Sequence, residues 1–300
     1  NDLDLGSSNA RVARDRKPEI GGMAEVTEFA ARGAGDELMR RVRYMEPNRT
    51  FRDVYQYNNL MYVAAGFLSQ EMSGQPWETL IEKRVLEPLG MTNSSVRVTD
   101  MRKSADFASP HEVRDGTAAA VEFYDYQRFG IGPNGAVNST ANDLLKYAQF
   151  HLDGGKVGER QVISSRQMRE LHKPVIANGA ASGYSIGWNE EYYRGHRITQ
   201  HGGAITGFTA QVLLFPEEKL GIVVLNNLGS QLPQVVSYSL ADRLLGLKQD
   251  DKLANWRRGQ ERGREAAAFA KRREAERVQG TKPSVELAKL AGAYTHPAYG

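Results

Sequence analysis

The sequence predicts an α+β fold: helices first, then an antiparallel meander, then helix again. Three observations carry this. Apolar residues recur at helical spacing through much of residues 36–91 and 139–173. Between about 185 and 227 the pattern changes to short β-branched and aromatic runs separated by tight turns. Residues 232–246 then return to an amphipathic helical pattern.

Residues 1–35 mix charge, Gly and Ala and read as an irregular segment, with helical spacing only near Met23–Ala31. A helix is expected at about Asp36–Tyr44, where Leu38, Met39 and Val42 share a face and Pro47 follows. The strongest helical pattern is NNLMYVAAGFLSQEMSG, residues 58–74. Asn58 or Asn59 can cap its start and Gly74 its end. A second helix spans 75–91, entered through Pro76 and stopped at Pro88-Leu89-Gly90. Residues 92–138 read as irregular apart from a hairpin around TAAAVEFY. STANDLLKYAQFHLDGG, residues 139–155, is a helix with capping-box spacing between Thr140 and Asp143, and SSRQMRELHK starts on a Ser cap. Four strands follow in SIGWNEEYY, HRITQH, FTAQVLLFP and LGIVVLNN, turned at Arg194-Gly195 and at Glu217-Glu218-Lys219. Residues 250–279 form a long helix laced with both signs of charge, the pattern of a solvated face or a spacer.

Composition excludes several classes. A chain of 300 residues with 40% hydrophobic and 25% charged residues has the makeup of a globular protein. Its net charge of +3 holds no dense basic tract, so nucleic acid is not an expected partner. No run approaches the roughly 18 apolar residues of a membrane helix. Cysteine is absent, which removes disulfides, thiolate catalysis and Cys-based metal sites. The first twenty residues contain no apolar core of a signal peptide. The histidines, at 111, 151, 172, 196, 201 and 296, form no ligand-spaced pair, so no metal is expected. His196 and His201 fall on opposite faces if one strand spans both.

Two stretches, distant in sequence, can carry chemistry. Tyr57-Asn58-Asn59 stands where irregular chain turns into helix; a Tyr there can point its hydroxyl outward, and Asn59 offers an amide donor and acceptor. The plainer reading is a packed Tyr beside a helix cap. His201-Gly202-Gly203 opens the third strand of the meander on this reading. Glycine on a strand edge lets a substrate carbonyl approach backbone N–H groups, and an N–H aimed at a developing oxyanion contributes several kcal/mol in a dry site. The imidazole can orient substrate or share in proton transfer. Here the plainer reading is a half-buried His beside a β-bulge.

Taken together, YNNLMYVAAGFLSQEMSGQPWETLIEKRVLEPLGM, GAVNSTANDLLKYAQFHLDGG and SIGWNEEYYRGHRITQHGGAITGFTAQVLLFPEEKLGIVVLNN resemble the serine β-lactamase and penicillin-binding-protein superfamily, in its class C-like branch of serine hydrolases and esterases. The first resembles the Tyr-x-Asn motif with its helix pair, and the last has His-x-Gly in place of a Lys-Thr-Gly box. The resemblance covers roughly residues 36–247. It implies a β-lactamase/transpeptidase-like fold, an antiparallel sheet with flanking helices. It divides the chain into a partial hydrolase domain at 36–247, a charged helical connector at 248–282 and the start of a truncated C-terminal β domain at 283–300.

The resemblance also implies roles. Tyr57 takes part in proton transfer at the nucleophile, and Asn59 binds the substrate's amide. His201 and Gly203 occupy the first and third positions of the strand box, with Gly202 between them. The backbone N–H of Ala204 is an oxyanion donor. The implied partner is a small-molecule or peptide acyl substrate, without cofactor, and relatives of this kind often work in the periplasm or outside the cell.

One departure stands against these matches. The family's nucleophile lies in Ser-x-x-Lys, where a helical turn sets a neutral amine beside the hydroxyl. No Ser in this chain has a Lys three residues later; Ser8 and Ser94 have Arg there, which stays protonated. The expectation is therefore a chain lacking the nucleophile and the first strands of its sheet, with an exposed edge and an uncovered apolar face that favour self-association. The alternative is a non-catalytic ligand- or peptidoglycan-binding relative.

Overall fold

The computed structural model of the protein describes residues 35–114, 116–126, 130–278, 280 and 284–292. The irregular segment expected before residue 35, and residues 293–300 of the expected C-terminal element, lie outside them. Helix α1 (Gly35–Val42) leads to α2 (Asn59–Ser73). Asn58, not Asn59, caps α2: its backbone is extended and its side chain accepts the Met61 N–H at 3.2 Å. Gly74, at φ 65°, closes the helix by donating to the Gln70 carbonyl.

The helix expected over 75–91 is shorter and changes pitch. α3 (Trp77–Ile81) widens into a π-helical turn at Glu82–Leu86, where the Glu87 N–H reaches back five residues to the Glu82 carbonyl at 2.9 Å. Leu86 and Leu89 there join Met91, Val96, Phe150 and Met168 in one apolar cluster.

A short α4 (Val98–Met101) precedes the hairpin of β1 (His111–Arg114) and β2 (Thr117–Ala120). α5 (Ala141–Leu152) is capped by Thr140, which accepts the Asp143 N–H at 3.2 Å. The reciprocal half of a capping box does not form. The Asp143 carboxylate, fully buried, accepts instead from the Asn93 N–H at 2.7 Å, Ser94 Oγ at 2.9 Å and Lys146 Nζ at 2.8 Å. A small hairpin, β3 (Lys156–Val157) with β4 (Arg160–Gln161), leads to α6 (Ser165–Leu171), where Ser164 and Gln167 make a complete capping box.

The meander has six strands: β5 (Ile176–Gly179), β6 (Ser182–Tyr184), β7 (Asn189–Tyr193), β8 (His196–Ile205), β9 (Phe208–Phe215) and β10 (Leu220–Asn226). All neighbours are antiparallel, in the order β10-β9-β8-β7-β6-β5. β5 and β6 go beyond the four strands expected. They are short and built on Gly, Ala, Ser and Asn, with too little alternation to read. His201-Gly202-Gly203 lies inside β8 rather than opening the next strand. The turn falls later, at Thr206-Gly207, where Gly207 takes φ 74°.

Helices cover both sheet faces. Ile198, Leu213, Phe215 and Ile222 pack with Ala241 of α7 (Leu232–Leu244). Leu214 and Trp188 pack with Ala148 and Leu152 of α5. Among the described residues β10 has α5 on one side and α7 on the other, so this strand is covered on both faces. Its outer edge has no strand partner among the described residues. The charged helix α8 (Lys252–Ala275) is anchored at its first turn, where Lys252 pairs with buried Asp242, which also accepts the Tyr193 hydroxyl at 2.6 Å.

Candidate active site

The cap at Asn58 decides where Tyr57 goes. Its extended backbone leaves Tyr57 just outside α2, half-exposed, with its ring centroid 6.0 Å from that of His201 and 6.1 Å from that of Tyr184. The two stretches that stood far apart in sequence thus meet across one cleft. Asn59, the first residue of α2, is buried at 6% exposure.

The glycines of β8 do not make a bend. Pairing with β9 runs without a shift from Thr199↔Leu214 to Ile205↔Phe208, so no bulge interrupts the strand. Pairing with β7 stops at Asn189↔Gln200. From His201 onward, one edge of β8 is open among the described residues. Gln200 turns its carbonyl to that side, since Asn189 Nδ2 donates to it at 3.5 Å. Backbone groups alternate sides along a strand, so Gly202 and Ala204 present their N–H and C=O groups to the open edge. A Cβ added to Gly203 would meet only the Ala210 methyl at 3.8 Å. Crowding by the protein does not demand glycine here; its absence of side chain clears the floor of the cleft. His196 and His201 share β8 five residues apart and face opposite sides of the sheet, as expected. His196 pairs with Glu218 and sits by Phe215, away from the cleft.

Sequence reasoning missed Tyr184. It ends β6, is buried, and its hydroxyl lies 3.2 Å from His201 Nε2 and 3.3 Å from the Tyr62 hydroxyl. Tyr55 packs on it at 5.2 Å between centroids. The one signal was an aromatic residue ahead of Ser185-Ile186-Gly187-Trp188, and nothing local says that it points toward residue 201.

Burial sets the protonation states. It pushes the His201 imidazole down, against the opposing pull of the Gly202 carbonyl, which lies 2.5 Å from Nδ1. It raises the Tyr57 phenol, and Tyr62 adds to the rise. Both groups are therefore neutral near pH 7. No group of three or more His, Asp or Glu residues is arranged to hold a metal among the described residues. A groove of about 1130 Å³ opens beside the same strand, between Gly202–Gly207 and Trp256, Arg257 and Arg264 of α8; it includes neither Tyr57 nor His201.

A second buried polar network reaches β8 at Thr199, on the same sheet face as His201 and two residues before the open edge begins. His151 Nδ1 is 2.8 Å from His172 Nε2, and His172 Nδ1 is 3.2 Å from the Glu190 carboxylate. Glu190 also accepts from Thr199 Oγ1 at 2.8 and 2.9 Å and from Arg197 at 2.9 Å. It ties α5 and α6 to β7 and β8.

An antiparallel sheet with helices on both faces is the architecture this chain shares with the serine β-lactamase and penicillin-binding-protein class. The chain belongs to the Beta-lactamase family, whose model matches residues 11–246. An unguisins hydrolase of Aspergillus campestris is 26% identical over 277 residues, covering 88% of this chain and 51% of its own. The octameric penicillin-binding protein homologue from Pyrococcus abyssi superposes with a TM-score of 0.68 at 23% identity, over 78% of this chain and 55% of that one. The β-lactamase/D-alanine carboxypeptidase of Pseudomonas syringae superposes with a TM-score of 0.61 at 16% identity, over 78% and 69%. The chain spans about half the length of the unguisins hydrolases it matches.

Proposed function

We propose that the cleft between Tyr57 and the open edge of β8 is one wall of an acyl-transfer site, of the kind that hydrolyses an ester, amide or β-lactam. The observation that carries this reading is the Tyr57–His201 ring separation of 6.0 Å beside a strand edge that has no strand partner from residue 201 onward among the described residues. In this reading Ala204 N–H holds the oxyanion, Gly202 and Gly203 admit the substrate carbonyl, and Asn59 braces the wall from within. Tyr57, neutral and half-exposed, gives or takes a proton at the reacting oxygen. His201 closes the cleft beside it. The serine that attacks the carbonyl in relatives has no counterpart in a Ser-x-x-Lys of this chain.

A second reading is a relative that binds acyl compounds or peptidoglycan without turning them over. Intact-mass spectrometry after exposure to a fluorophosphonate is expected to show no adduct on any serine under either reading; ester hydrolysis separates the two. Activated-ester hydrolysis above the buffer rate, lost on Ala204→Pro, is expected only if the edge N–H stabilises an oxyanion. Proline is tolerated on an edge strand whose N–H faces outward, so the variant should still fold. A folded variant with undiminished ester hydrolysis would overturn the assignment of Ala204.

For partners, the proposal is a second copy of this chain at β10. Residues 220–226 carry no charge, lie between two helices and have an outer edge without a strand partner among the described residues.

A further inference from the structure

The hydroxyl of Tyr184 belongs to neither stretch singled out in the sequence, yet it touches the imidazole of the site. Its meaning follows from a single acceptor. The Gly202 carbonyl can only accept, so the Nδ1 beside it must carry the proton. In a neutral imidazole the other nitrogen is then an acceptor. Tyr184 must donate its hydroxyl hydrogen to Nε2, and its oxygen is left to accept from Tyr62. Every link in the row Tyr62, Tyr184, His201, Gly202 therefore runs one way. The row joins α2, β6 and β8 at the point where β7 no longer supports β8.

We propose that Tyr184 is a positioning residue that holds His201 as the Nδ1–H tautomer and, through it, fixes the Gly202 carbonyl at the open edge of β8. This rests on the reading of the Tyr57–His201 cleft as the site. Two consequences follow. Both ring nitrogens of His201 are engaged, so the imidazole does not itself take the substrate's proton; Tyr57 is the exposed proton-carrying group. The Gly202 carbonyl, which faces the same side as the Ala204 N–H, has its lone pair turned to an N–H donor and repels a developing oxyanion less. Burial keeps the Tyr184 phenol protonated far above neutral pH and the imidazole neutral, so the row persists where the protein works.

The test is long-range ¹H–¹⁵N NMR of the His201 ring, which reads the tautomer directly and needs no turnover. It can therefore fail while the hydrolase reading stands, and succeed where that reading fails. Wild-type protein is expected to show the Nδ1–H form; a predominant Nε2–H form overturns the proposal without any variant. Tyr184→Phe should move the tautomer ratio about tenfold toward Nε2–H, the scale of one hydrogen bond. Tyr57→Phe, which keeps the neighbouring ring and removes a hydroxyl that makes no hydrogen bond to His201, should leave the ratio in place. An unchanged ratio in Tyr184→Phe, or an equal change in Tyr57→Phe, refutes the positioning role.

Discussion

Asp143 offers the sharpest test of how this fold is held, because a buried carboxylate sits where the loop at 93–94 meets the first turn of α5. Replacing it with Ala leaves the Asn93 N–H, once bonded at 2.7 Å, without a partner. An orphaned buried donor costs about 1–3 kcal/mol. Ser94 loses its 2.9 Å bond but keeps Ser139 at 2.8 Å, and Lys146 keeps the Gly90 carbonyl, so these two add little. Loss of an acidic group from the first helical turn adds about 0.3–1 kcal/mol. Relief of carboxylate desolvation works the other way. The balance is a loss of roughly 1–4 kcal/mol, or about 2–16 °C in Tm for a domain of this size.

The same carboxylate carries a pH signature. Burial raises its pKa, but Lys146, the Asn93 N–H and Ser94 together hold it below the ordinary carboxylate value. A depressed folded pKa means stability that is complete above the unfolded value near 3.8 and lost as pH falls through the folded one. Thermal melts by circular dichroism at pH 7 and at pH 3 should show the wild-type advantage over Asp143→Ala shrinking on acidification. A variant that melts with wild type at pH 7, or a gap that widens in acid, refutes this account of the latch.

Other outcomes follow from particular contacts. Gly66→Ala should destabilise by about 1–3 kcal/mol in denaturant melts despite better helix propensity, because the new methyl would lie 2.1 and 2.4 Å from Pro133 carbons. His151, pushed down to about 3 by burial and by the neighbouring His172, resists protonation in the folded state. Stability should therefore fall from pH 6.5 to 5 by up to about 2 kcal/mol, and His151→Phe should flatten that slope. Light scattering should give a mass above the monomer, and Leu225→Lys, a charge on the uncharged β10 strand, should return it toward the monomer. A monodisperse wild-type monomer would remove self-association through β10.

Much of the fold was legible because its signals are local. A cap at Asn58 or Asn59, the Ser164 cap, the turn at Arg194-Gly195 and the alternation of β7 to β10 each need only a few neighbouring residues. Tyr57 and His201-Gly202-Gly203 stood out in the same way, as polar or glycine residues at element boundaries and on a strand. Their placement in one cleft was implied by resemblance, not by spacing. The choice of Asn58 over Asn59 and the π-helical turn after Ile81 depend on packing that no window of sequence contains.

What the sequence by itself determined is the order of the longer helices and of β7 to β10, and the side-chain chemistry available among these 300 residues, since these are properties of neighbours along the chain. Only the tertiary structure decided that Tyr62 meets Tyr184 across 122 residues, that His201 has both nitrogens occupied, and that β8 is open from residue 201. Hydrogen-bond partners are set by which surfaces pack together, and packing is a sum over the whole chain that no local pattern records.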